Sequence, residues 1–218
     1  MMRNILRVLT LTMLSLTVAL TQAHASLLLD LTGGGAPVPC GNCGDNGTTF
    51  GWSFAVTSPI TVDAIGVWDA GSAPLGTSTE AGIWDASGNL LGSATISDGS
   101  IPVSSADLDG RWLFENISPI TLAAGDYDIG MVAFDSAPLA QTNALFETIP
   151  GVTLLGGAQG PDNGGFSNDS ASFSFPIFGP TLSTTPVAPV PEPGSVGLMA
   201  VGLLALSFGA MAQRRAEG

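Results

Sequence analysis

From Gly194 to Ala212 the chain runs for 19 residues without a charged side chain. Coiled as a helix at ~1.5 Å per residue, that run reaches about 28 Å, close to the hydrocarbon thickness of a bilayer. Lipid offers backbone N–H and C=O groups no partner, so a run of this kind is stable there only as a helix. Arg214 and Arg215 follow it after Gln213, and a basic end favours the cytoplasmic side. Everything ahead of the helix then lies outside the cytoplasm. Pro191, Glu192 and Pro193 stand just before it and break any helix that would extend further back.

This order of parts resembles the PEP-CTERM sorting signal of Gram-negative bacteria. The resemblance implies a signal over residues 191–215, with Pro191, Glu192 and Pro193 as the sorting motif, 194–212 as a transmembrane helix and Arg214 and Arg215 as the basic end. It also implies a partner: an exosortase, a membrane protease-transpeptidase that reads the tripeptide and removes the tail. A plain C-terminal anchor would use the same helix, with Pro191 to Pro193 merely closing a linker.

The other end fits the same topology. Arg3 and Arg7 precede an apolar stretch from Val8 to Leu20, and Ala23-His24-Ala25 supplies small residues before a cut between Ala25 and Ser26. Residues 1–25 therefore read as a signal peptide with a short signal helix. Its removal takes away His24, the only histidine of the chain.

Charge between the two ends is one-sided. Of 5 basic residues only Arg111 remains, and of 18 acidic residues all but Glu192 and Glu217 remain, so residues 26–190 carry a formal charge of −15. Binding to nucleic acid is excluded, because neutralising phosphates needs clustered Lys and Arg. Such a surface serves solubility, or suits divalent cations or a hydrated polysaccharide matrix.

Residues 26–175 are the right length for one domain with one core. Their apolar residues recur at every second position and Gly and Pro are frequent, which predicts an all-β fold, a single antiparallel β-sandwich of jelly-roll-like form. Phe50, Trp52, Phe54 and Val56 alternate with Gly51, Ser53 and Ala55, so one strand face is aromatic and belongs in the core. After the Ser58-Pro59 turn, Ile60, Val62 and Ala64 alternate until Ile65-Gly66-Val67 shifts the phase, which a bulge at Ile65-Gly66 would explain. Asp85-Ala86-Ser87-Gly88-Asn89 predicts a hairpin turn into a strand over 90–96 that Ile101-Pro102 closes. Trp112 and Phe114 share a face. Ser118-Pro119-Ile120-Thr121 repeats Ser58-Pro59-Ile60-Thr61, which predicts two equivalent corners of the sandwich. Tyr127, at the start of a period-two strand, has the placement of a tyrosine corner whose hydroxyl bonds back to nearby backbone. Residues 176–190, rich in Pro, Thr and Ser, predict an extended linker.

Cys40 and Cys43 are separated by Gly41 and Asn42, and in an oxidising exterior this spacing suits a small disulfide loop. Free or intermolecular thiols are the next reading. A redox pair would need a helix N-terminus, and zinc would need further ligands. The Asp/Asn/Gly-rich loop from Asp162 to Asp169 offers oxygens for calcium, although its spacing matches no EF-hand and such clusters are commonly plain turns. We expect no cofactor and no catalysis: without Lys and without His24, neither Ser-His-Asp nor Ser-Lys chemistry is available. A carboxylate pair drawn from Glu80, Glu115 and Glu147 would need a separation that sequence does not set.

Between Phe50 and Phe134 the Ser-Pro-Ile-Thr starts, the Ile83-to-Gly88 hairpin and the Ala124-Gly125-Asp126-Tyr127 entry resemble β-sandwich domains of unknown function found in PEP-CTERM proteins. The expectation is an exported, non-catalytic surface or matrix protein associated with exopolysaccharide in biofilm. The alternative is a carbohydrate- or calcium-binding module that uses Trp68, Trp84 or Trp112 as a stacking surface.

Overall fold

The computed structural model describes residues 25–34, 36–37, 43, 45–70, 75, 78–134, 141–142, 144–161, 164–167, 171–173 and 178–188. The strands are β1 (Leu29–Gly33), β2 (Ala36–Pro37), β3 (Thr48–Val56), β4 (Ile60–Asp69), β5 (Thr79–Asp85), β6 (Leu90–Ile96) and β7 (Ile101–Ser104). They continue as β8 (Arg111–Leu122), β9 (Gly125–Ala133), β10 (Gln141–Thr142), β11 (Leu145–Thr148), β12 (Val152–Gln159), β13 (Ala171–Phe173) and β14 (Pro180–Ser183). A six-stranded sheet in the order β13-β12-β3-β9-β5-β6 and a four-stranded sheet β14-β4-β8-β7 form the sandwich, with the small sheets β1-β11 and β10-β2 beside them. Every strand pair is antiparallel. The signal helix over 1–25 and the transmembrane helix over 194–212 lie outside the described residues, apart from Ala25.

Alternation along β3 holds from Trp52 onward: Trp52 and Phe54 are wholly buried and Val56 nearly so, while Ser53 and Ala55 are half-buried; ahead of it Phe50 is half-buried and Gly51 buried. Their rings form one run, Trp52 to Phe54 at 5.1 Å and Phe54 to Tyr127 at 5.8 Å between centroids. The indole of Trp52 also ties the two sheets together, its Nε1 donating to the carbonyl of Pro180 on β14 at 2.8 Å. Trp68 and Trp112, opposite one another on β4 and β8, meet edge to face at 5.1 Å.

The phase shift in β4 has a different cause from the expected bulge. Pairing with β8 slips between Val62 and Ala64, where Ile120 gives way to Asn116, so Ile117, Ser118 and Pro119 on β8 stand against Asp63 alone and β8 carries two extra residues. Beyond that point every residue from Ala64 to Asp69 is buried, because β4 is covered on both faces, and period two therefore disappears. The repeated Ser-Pro-Ile-Thr segments are not two separate corners: Thr61 sits opposite Thr121 and Val62 opposite Ile120, so the copies pair with each other.

Two strands carry compositions that hid them. Ile101-Pro102 opens β7 instead of ending the preceding hairpin; β7 is an edge strand, where a proline lacking N–H costs no ladder bond. Residues 176–190 predict a linker, yet β14 within them pairs with β4, and Leu182, Phe178 and Val187 are buried. The folded unit accordingly runs from Ala25 to Ala188, past the expected boundary at 175.

Candidate functional site

The residues ahead of the sorting signal are held on two sides. β14 lies between β4 and the segment that starts the domain: Leu28 N–H donates to the Leu182 carbonyl at 2.7 Å and Thr184 N–H to the Ser26 carbonyl at 2.9 Å. Ser26 N–H in turn donates to Thr185 Oγ1 at 3.3 Å. Three residues later Asn116 closes on the backbone of Val187. Its Nδ2 donates to the Val187 carbonyl at 2.9 Å and its Oδ1 accepts the Val187 N–H at 2.9 Å. Asn116 is the β8 residue opposite Ala64, at the edge of the register slip. Both ends of the folded unit thus leave from one corner.

Residues 191–193 and Arg214 and Arg215 lie outside the described residues. Ala25 and Ser26, flanking the expected signal cut, are half-buried at this corner. Cys43 is wholly buried and disulfide-bonded, and its expected partner Cys40 lies outside the described residues.

The expected aromatic platform is overturned. Trp68 and Trp112 are wholly buried and Trp84 is 4% exposed, so none offers a ring face for a sugar to stack on. Each is committed elsewhere: Trp112 Nε1 donates to Asp30 Oδ1 at 2.8 Å, Trp68 faces Trp112, and Trp84 packs against Phe166 at 5.0 Å. The Phe166 contact fills a trough. Ala158, Gly51, Gly130, Gly82 and Ser93 align in register across five strands, on the face opposite Trp52 and Ile129. A Cβ on Gly82 would lie 2.6 Å from the Phe166 ring. Thr49 pins the covering segment, donating to the Gly165 carbonyl at 2.8 Å and accepting Ser167 N–H at 3.1 Å. The crevice left beside Trp84, Gln159 and Gly160 is too tight to admit a water molecule.

Carboxylates are dispersed. Glu80, Glu115 and Glu147 sit on β5, β8 and β11, in three different sheets. Ser100 Oγ donates to Glu115 at 2.6 Å, and Arg111 Nε pairs with the buried Asp69 at 2.9 Å. Asp85 organises its hairpin turn: the Asn89 amide donates to its carboxylate at 2.9 Å, and the backbone N–H groups of Asn89 and Ser87 each donate to it at 2.9 Å. Those bonds, the Asn89 side chain foremost, hold its pKa below the ordinary 3.8. Among the described residues no three metal-ligating side chains converge. Asp162, Asn163, Asn168 and Asp169 of the calcium candidate loop lie outside them.

The folded unit ends at Ala188, and the sequence that follows it carries an address. That address is a PEP-CTERM protein-sorting motif, matched over residues 189–215, which marks the chain as exported with a membrane-associated sorting signal. No curated protein matches the chain. Among solved structures it is similar to a family 35 carbohydrate-binding module from an environmental isolate, at 17% identity and a TM-score of 0.30, over 62% of this chain and 94% of that one. It is also similar to Xyl-CBM35 in complex with a glucuronic acid-containing disaccharide, at 18% identity and a TM-score of 0.26, over 67% of this chain and 98% of that one. No ligand is carried over from either.

Proposed function

We propose that the chain is a non-catalytic surface or matrix protein. It loses its signal peptide before Ser26, is processed at Pro191-Glu192-Pro193 by an exosortase-type membrane peptidase, and then associates with exopolysaccharide. The observation that carries this reading is the abutment of two parts: a folded unit ending at Ala188 and a sorting motif matched from residue 189. A chain built this way presents a finished domain to the outside and leaves its address on a removable tail. We read Cys40 as the partner of Cys43, closing a small loop in the oxidising compartment.

Absence of chemistry rests on composition. No Lys occurs in the chain and His24 precedes the mature start, so the usual activated nucleophiles lack a base. Association with polysaccharide rests on the acidic, hydrated surface and not on aromatic stacking, because the tryptophans are buried. The second reading is a calcium-binding module, with the Asp and Asn side chains of the 162–169 loop supplying oxygens to the cation. The test is fractionation of a host that makes the processing enzyme, with and without its exopolysaccharide. The domain is expected with the matrix in the first and in the medium in the second; an unchanged distribution would remove polysaccharide from the account.

A further inference from the structure

The spacing between the last clamped residue and the tripeptide limits how the chain can be processed. Val187 is 5% exposed and bound through both backbone groups by Asn116. Only Ala188, Pro189 and Val190 separate it from Pro191. Fully extended, the four steps from Val187 to Pro191 span no more than ~14 Å. A peptidase binds its substrate as an extended strand in a cleft. Any enzyme holding residues 191–193 while Asn116 grips Val187 must therefore touch the domain.

We infer that the corner formed by Ser26, Ser118, Thr184, Pro186 and Ala188 is a docking surface for the membrane peptidase that processes the tail. This rests on the sorting reading above. Charge supports it. The chain carries 16 acidic residues between 26 and 190, yet none from Phe178 to Ala188 and none from Ala25 to Leu29, two of the segments that meet here. A domain of formal charge −15 is repelled by anionic headgroups, and an uncharged corner is the part that approaches them at least cost. Glu115, opposite Ile65, and Asp63, in the slip between Val62 and Ala64, are the nearby carboxylates, and Glu115 is held by Ser100. Ser118, Pro186 and Ala188 are exposed. Asn116 is a positioning residue: it keeps the tether short enough for the corner to meet the enzyme.

The test is pulse-chase processing of the full chain in a host carrying the peptidase. Ser118→Glu and Pro186→Glu should each slow tail removal several-fold, whereas Ser93→Glu, on the exposed face of β6, should leave it unchanged. With a flexible eight-residue Gly/Ser insert between Ala188 and Pro189, both variants and the otherwise wild-type chain should be cut at one common rate, since the corner no longer has to meet the enzyme, which a folding defect would not do. Processing of Ser118→Glu and Pro186→Glu at the wild-type rate would overturn the docking surface. A wild-type chain left uncut in that host would overturn the sorting reading itself and this surface with it.

Discussion

Asn116 and Val187 meet through two hydrogen bonds of 2.9 Å, one in each direction, 71 residues apart in the chain. The pair fixes the end of the domain, and Val187 is buried beneath it. Replacing Asn116 with Ala removes both partners from a nearly buried backbone, and such losses cost about 1–3 kcal/mol. We expect a lower denaturant midpoint with an unchanged slope, together with faster amide exchange at Val187. Asn116→Asp, which retains an acceptor only, should fall between the two.

Truncation separates the expected boundary from the observed one. A chain ending at 175 lacks β14 and leaves Trp52 Nε1, the Leu28 N–H and one edge of β4 without partners. A chain of residues 26–188 should unfold in one cooperative step, whereas 26–175 should expose apolar surface and bind a hydrophobic dye at pH 7. Equal cooperativity of the two would show that β14 contributes little to the fold.

Asp30 is a half-buried junction. Its carboxylate accepts Trp112 Nε1 at 2.8 Å, Ser105 Oγ at 2.6 Å and the Ala106 N–H at 3.0 Å. Asp30→Ala leaves those donors unpaired and is expected to cost about 2–3 kcal/mol in denaturant unfolding. Tyr127→Phe is a milder change. It removes only the hydroxyl that donates to the Ala123 carbonyl at 3.0 Å, with an expected loss of about 0.5–1.5 kcal/mol.

Acid should erase the contribution of Asp85. Its folded pKa lies below the ordinary 3.8, so the stability it adds is present above that value and is lost as pH falls through the folded value. The melting temperatures of wild type and Asp85→Ala should therefore differ at pH 7 and draw together as pH falls below 3.8. A gap that stays constant with pH would mean that the ionised carboxylate does not hold the turn.

Much of the interior was legible in local pattern. The aromatic face of β3, the Asp85-to-Asn89 turn with Gly88 at φ 80°, and the Tyr127 hydroxyl bond all follow from residues a few positions apart. What was not legible depends on distant partners. Pro180-Thr181-Leu182-Ser183 has the composition of a linker and becomes a strand through β4 on one edge and the residues after Ser26 on the other. Trp68, Trp84 and Trp112 carry no local mark of burial. Their fate is decided by Trp112 meeting Asp30, by the Trp68–Trp112 pair and by Phe166 closing over Gly82. The exit corner combines both kinds of signal: the tripeptide could be read directly, but the clamp just ahead of it could not.

Intact mass of the exported protein, from a host with the processing peptidase and from one without, bears most directly on the central claim. The account predicts a chain beginning at Ser26 and ending within or beside Pro191-Glu192-Pro193, outside the inner membrane, only where the peptidase is present. A chain keeping its C-terminal tail in both hosts, and remaining in the inner membrane, would contradict it.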